Sequence, residues 1–260
     1  MFSLINYREA DGNIIRFEAH TKLDSTVKLA QEYAKNPNYP DRYVVFTDKL
    51  KKHDKSAKKK NEEQEVEHGV FMSCILRPSI FPSQASLLSL MAAVAVASAL
   101  NEHTEKRIGI GWIGDTYCDG TKIGSVSIEG KLDDFTSYEY IIINFNIKIS
   151  KENFPPRLKD MVKKVFEAEN TSLNMIIART ILTNFFKHYQ NLKAPQKFMQ
   201  EYNDMFLFRG KKVKYYNGEK WKKRKIVGVD AKTGQLILYG KAKNQHISSA
   251  AQIQNPKKVR

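Results

Sequence analysis

Lys122 opens an apolar run directly behind a Cys118-Asp119-Gly120-Thr121 turn, and its type and place suit it to stabilising an anion. A lysine at a strand start beside a tight turn has its stem held. Its ammonium can then be aimed at negative charge instead of sampling solvent. An ordinary hairpin lysine would simply be solvated, and the spacing alone leaves both roles open. Trp112 and Asp115 precede the turn. Cys118 lies within it, where a cysteine is more often incidental than nucleophilic. A second concentration runs over residues 209–225, where Tyr215, Tyr216 and Trp221 are interleaved with lysines and arginines. That mixture suits base stacking with phosphate contact. It is also the ordinary composition of a small barrel with aromatics inside and lysines outside. His53, His68, His103, His188 and His246 stand apart without ligand spacing, so they read as surface or capping residues and no metal site is expected.

The elements that must position these residues follow from periodicity and punctuation. Residues 13–19 alternate as a strand. Asp24 and Ser25 then supply a helix cap, and Val27, Ala30, Tyr33 and Ala34 recur at helical spacing to about residue 36. Pro37 and Pro40 break the chain before a short buried strand over 43–47. Residues 48–68 are lysine-rich and almost devoid of apolar side chains, so they are expected to form a disordered loop. A strand resumes over 69–77. Residues 83–100 are apolar or small on every face but short for a membrane span, which predicts a buried helix. Strands are expected over 107–113, 121–128 and 138–149, and helices over 158–166, 173–189 and 195–204. Asn170-Thr171-Ser172 caps the second of these helices. From Phe206 onward, short strands broken by Asn217-Gly218, Lys232-Thr233-Gly234 and Gly240 predict a small SH3-like β-barrel.

The 260 residues suffice for one large and one small domain, expected over 1–205 and 206–260. A net charge of +15, from 43 basic and 28 acidic residues, is clumped over 49–60, 209–225 and the tail Lys257, Lys258 and Arg260. Such clumping implies an acidic partner (nucleic acid, nucleotide phosphates or an acidic protein) or a well-solvated surface. The two cysteines, Cys74 and Cys118, form no framework, which fits a reducing, cytoplasmic compartment. The first residues lack the pattern of a signal peptide, and no membrane association is expected.

Several strings, taken in order, resemble the biotin protein ligase family over nearly the whole chain. Leu23-Asp24-Ser25-Thr26 is similar to its "DSTN" helix start, and residues 69–78, ending in Arg77-Pro78, to its "GLYxSLLLRP" strand. Residues 111–129 align without a gap onto "KWPND…KLAGIL(V)E", keeping Trp112, Asp115, Lys122 and Glu129. The strand around Asn146 is similar to "GIGINV", Thr171-Ser172-Leu173 to "TSL", and the strings after Phe208 to the C-terminal barrel. The form resembled is the one without an N-terminal winged helix. The resemblance implies an α+β fold of biotin/lipoate ligase type, a mixed sheet with packed helices followed by the small barrel. It implies ATP and biotin as substrates, with Mg2+ accompanying the ATP. Biotin carboxylate attacks the α-phosphate to give biotinyl-adenylate, and a lysine of a biotin carboxyl carrier protein or similar acceptor then takes the biotinyl group. Lys122 matches the essential lysine. Ser25, Thr26 and Ser125, with Lys122, match the biotin side, and Trp112, Asp115 and Asn146 the nucleotide side. Lys51, Lys52 and Lys55 occupy the place of the phosphate-facing loop. A homodimer through the central sheet would fit the family.

The chain departs from the family pattern where glycines and arginines are expected. The "GRGRRGR" cradle is replaced by lysines, which carry charge but not a bidentate fork. Gly111 and Gly114 stand for the "K" and "N" of "KWPND", Ile142 and Asn144 for the glycines of "GIGIN", and Val27 for the last residue of "DSTN". Three readings follow: a divergent biotin-type ligase, a pseudoenzyme of the same fold that binds a ligand or protein without turnover, and a nucleic-acid binder acting through the basic C-terminal segment.

Overall fold

The computed structural model describes residues 2–9, 12–51, 66–133, 137–149 and 172–254. The helix expected over 158–166, most of the lysine-rich run and the basic tail lie outside them. In chain order the elements are β1 (Phe2–Arg8), β2 (Ile14–His20), α1 (Thr26–Ala34), β3 (Tyr43–Lys51), β4 (Val66–Leu76), α2 (Pro82–Asn101), β5 (Ile108–Gly111), β6 (Asp115–Cys118) and β7 (Thr121–Leu132). They continue with β8 (Tyr138–Lys148), α3 (Leu173–Tyr189), α4 (Gln196–Met205), β9 (Lys212–Tyr216), β10 (Trp221–Val229), β11 (Leu236–Leu238), β12 (Gln245–Ile247) and β13 (Ile253–Gln254). Contacts divide the chain into two units, residues 1–81 with 127–180 and residues 82–126 with 181–260. The boundary expected at 205/206 falls inside the second of these.

In the first unit the strands run β1-β2-β3-β4-β8, followed by the second half of β7. β2 and β3 are parallel, while β1–β2, β3–β4 and β4–β8 are antiparallel, so the sheet is mixed. β4 and β8 are buried on both faces along Val70–Leu76 and Ile141–Phe145, which is why they read as continuous apolar runs. α1 begins where Ser25 accepts a hydrogen bond from the Lys28 N–H at 3.2 Å. Its small Ala30 and Ala34 let it lie close on Tyr43, Val45, Ile75 and Ile142. Beside this packing, the buried Glu18 carboxylate accepts hydrogen bonds from Tyr33 and Tyr43 and contacts His20. Burial next to this carboxylate pushes both phenols well above their ordinary range.

The second unit is built around α2. By length and composition this helix could cross a membrane, but two-thirds of it is buried. Leu87, Leu88 and the run Leu90–Ala97 are all covered, so it is a core helix of its unit. The first half of β7 runs beside β6 and then β5. A five-stranded antiparallel sheet, ordered β12-β11-β10-β9-β13, follows where the barrel strands are expected. In β10, Val227 is the extra residue between Ile226 and Gly228, a bulge that bends the strand where it changes partners.

Two expectations change. β1 is not signalled by alternation, because its Phe2, Leu4 and Ile5 are exposed and the strand is made by its ladder with β2. Nor is the polar run unordered throughout. Lys49, Leu50 and Lys51 pair with His68, Glu67 and Val66, since backbone ladders need no apolar side chains. The Gly234 turn ties unit two together. Its carbonyl accepts the Trp112 indole N–H at 3.2 Å, its φ is +71°, and an added Cβ would lie 2.8 Å from Leu90. Gly234→Ala should therefore cost about 1–3 kcal/mol. A thermal melt should show a midpoint lower by several degrees, and an unchanged midpoint would contradict this packing.

Candidate functional site

The Asp119-Gly120 pair has positive φ at both residues (47° and 78°), the twist-matched two-residue turn of a tight hairpin. It pairs Cys118 with Thr121 and Tyr117 with Lys122, while Asp115 faces Ser125 and Thr116 faces Gly124. Ile123 is therefore an extra residue on β7. Without it, plain alternation would send Lys122 and Ser125 to opposite faces of the strand. With it, Lys122, Ser125 and Asp115 share one face. Lys122 Nζ lies 2.7 Å from Asp115 Oδ1, with the lysine side chain 50 % exposed and the aspartate 19 %. The ammonium is anchored yet reachable. At this exposure the pair adds only about 0–1 kcal/mol to stability. Burial, then Asp115, pushes the Tyr117 phenol up to about 12, so this tyrosine stays neutral beside the pair.

Trp112 is buried, and its indole N–H is spent on the Gly234 carbonyl. The glycines beside it are explained by close packing. A Cβ at Gly111 would lie 2.8 Å from the Tyr117 ring, and one at Gly114 would lie 2.9 Å from the Val126 carbonyl oxygen. Tyr202 adds two further contacts here, its hydroxyl donating to the Gly111 and Ile113 carbonyls at 3.4 and 3.2 Å.

In the first unit, Ser25 caps α1 and Thr26 is buried behind it, accepting a hydrogen bond from Ser73 at 3.0 Å. Ser73 and Asn144 are direct cross-strand neighbours. Asn144 donates to Glu129 Oε1 at 3.2 Å, and Gln31 donates to Glu129 Oε2 at 2.7 Å. Two amides thus clamp one carboxylate, while Asn144 Oδ1 stays buried without a hydrogen-bond partner among the described residues. An unpaired buried acceptor invites an N–H donor. Gln31, Lys35, Glu129, Gly130, Tyr140 and Ile142 line an open cavity of about 320 Å3. Ile142 is fully buried against α1 rather than standing free. Asn146 lies one same-face position farther along β8, exposed, opposite Phe71.

Of the three loop lysines, Lys51 ends β3 and pairs with Asp24 at 2.6 Å, beside Ser25. Backbone bonds between Leu23 and both Lys49 and Lys51 hold that approach. Lys52 and Lys55 lie outside the described residues. Sequence reasoning did not single out Ser73, Gln31 or Glu18. Their only signal is polarity inside strands or on a helix flank, which does not reveal burial. Among the described residues no three His, Cys, Asp or Glu side chains converge as a metal site.

Cys74 and Cys118 are both buried, and burial raises both thiols above their ordinary range. Each unit of rise cuts the thiolate fraction about tenfold. A thiol reagent should therefore titrate neither cysteine rapidly in the native protein and both after unfolding. Fast native labelling of Cys118 would reopen a nucleophilic role.

No protein-family model matches the chain. In sequence it is 29% identical over 225 residues to the bifunctional ligase/repressor BirA of Bacillus subtilis, covering 84% of this chain and 68% of that protein. In structure it is similar to the biotin protein ligase from Aquifex aeolicus in complex with biotin and ATP, with a TM-score of 0.63, 21% identity, and 92% and 97% of the two chains covered. It is also similar to the biotin acetyl coenzyme A carboxylase synthetase from Helicobacter pylori with bound biotinylated ATP, with a TM-score of 0.51, 15% identity, and 88% and 98% covered. The chain is thus similar in sequence to a ligase/repressor and shares the fold of biotin protein ligases.

Proposed function

We propose that this protein is an ATP-dependent biotin protein ligase. The single observation that carries the reading is the bulged β6–β7 hairpin, which holds a half-exposed lysine against Asp115 beside Ser125. The first step brings two anions together, a carboxylate and a triphosphate. A positioned ammonium at their meeting point stabilises the charge that develops as the carboxylate oxygen bonds to the α-phosphorus and pyrophosphate leaves. The mixed anhydride so formed is then opened by an acceptor lysine amine, with AMP as leaving group. The acceptor is a biotin carboxyl carrier protein or a similar protein. Asp115 keeps the Lys122 side chain aimed until substrate arrives. A magnesium ion brought in with ATP needs only one or two carboxylates besides the phosphates.

The polar row of the first unit supports the acid side of this reading. Thr26, Ser73 and Asn144 are hydroxyl and amide groups of the type that answers a ureido ring's two N–H donors and one carbonyl acceptor. The unpaired Asn144 oxygen is the acceptor such a ring would use. Asn144 is drawn toward Glu129, which reconciles its bulk with a ligand passing nearby.

A second reading, binding without turnover, is favoured by one feature. The Trp112 indole N–H is occupied by Gly234 and offers a nucleotide no hydrogen bond. Pyrophosphate exchange separates the two. With biotin and ATP the wild-type protein should exchange label, and Lys122→Ala should lower the rate about a hundredfold or more. Biotin binding by calorimetry with no exchange from folded protein would establish the second reading, and the absence of both would end both.

A further inference from the structure

The outward face of the β9–β10 hairpin takes no part in the proposed ligase chemistry. On this face Lys212 is directly opposite Lys225, Lys214 opposite Lys223, and Tyr216 opposite Trp221. Val213, Tyr215 and Ile226 point the other way and are buried, so the core requires none of these outward residues. Like charges directly opposite in a ladder are destabilising. Two such rows stand side by side here, about 7 Å apart by strand geometry. None of the four lysines has an ion-pair partner among the described residues. The aromatic pair beyond them is exposed at 38 % and 45 %, with ring centroids 5.6 Å apart and tilted. The two rings steady the hairpin end by packing on each other, yet each keeps a large exposed area at the end of the lysine ladder.

We infer that this face binds single-stranded nucleic acid, with phosphates along the lysine rows and a base stacked on Tyr216 and Trp221. A polyanion relieves the repulsion within both lysine pairs at once, which a solitary anion does not. The exposed rings favour a nucleic acid over an acidic protein, because every base offers a flat face and a carboxylate offers none. They favour a single strand over a duplex, because a duplex keeps its bases stacked on each other. The inference is independent of the ligase reading, since it uses no residue of that site.

The test is fluorescence anisotropy of the full chain with a labelled oligothymidylate of about 16 nucleotides across a salt series. Binding should weaken steeply with salt, and the double variant Lys214→Ala/Lys223→Ala should flatten the log–log slope by about 1.4, roughly 0.7 per lost phosphate contact. Trp221→Ala should weaken binding about tenfold or more, and Trp221→Phe should restore most of it. Trp221 emission should also be quenched on binding in the unaltered protein, a reading that does not depend on any variant folding. A flat salt response, equal affinity for a duplex, equal competition by polyglutamate, or no quenching would each overturn the assignment.

Discussion

The candidate chemistry depends on strand register at one hairpin. The Asp119-Gly120 turn sets where β6 and β7 begin to pair, and the bulge at Ile123 then shifts the ladder by one residue. A side chain's face in a strand alternates with period two, so that single residue decides whether Ser125 joins Lys122 and Asp115 on one face. With the bulge, Ser125 faces Asp115 and stands with Lys122. Without it, Lys122 would stay on that face and Ser125 would leave it, while every residue type stayed unchanged. The ion pair adds little to stability at its exposure. Its importance is positional, since it keeps a flexible side chain in one place before any substrate is present.

The first unit obeys a different constraint, the need of buried polar groups for partners. Thr26, Ser73, Asn144, Glu129 and Gln31 lie where α1 covers the sheet, and each finds at least one hydrogen bond. Ile142 and Asn144 add bulk on β8, and the fold accommodates them in separate ways. Ile142 joins the apolar packing under α1, and Asn144 turns its amide toward Glu129. The Glu18 cluster follows the same logic nearby, with two tyrosines and a histidine gathered around one buried carboxylate.

The excess of positive charge is not spread evenly over the folded chain. On the second sheet it is concentrated as facing lysine pairs with an aromatic pair beyond them. Interleaved aromatics and lysines in the sequence were consistent with a barrel that hides every ring. Pairing divides them instead, so that Tyr215 is buried while Tyr216 and Trp221 are not.

The sequence by itself determined the α+β class, the buried α2, the Ser25 cap, the tight turn before Lys122 and the family likeness. All of these rest on local periodicity, on turn chemistry or on short strings kept in order. It also showed where the chain departs from the family, at Gly111, Gly114, Ile142 and Asn144, but not how each departure is absorbed. Only the tertiary structure decided that Lys122 and Ser125 share a face, that Trp112 is pinned to Gly234, that Glu129 is held between Gln31 and Asn144, and that β1 forms at all. These depend on register between distant segments and on what lies above a given strand. One inserted residue or one covering helix reverses the environment of a side chain while leaving its local pattern intact.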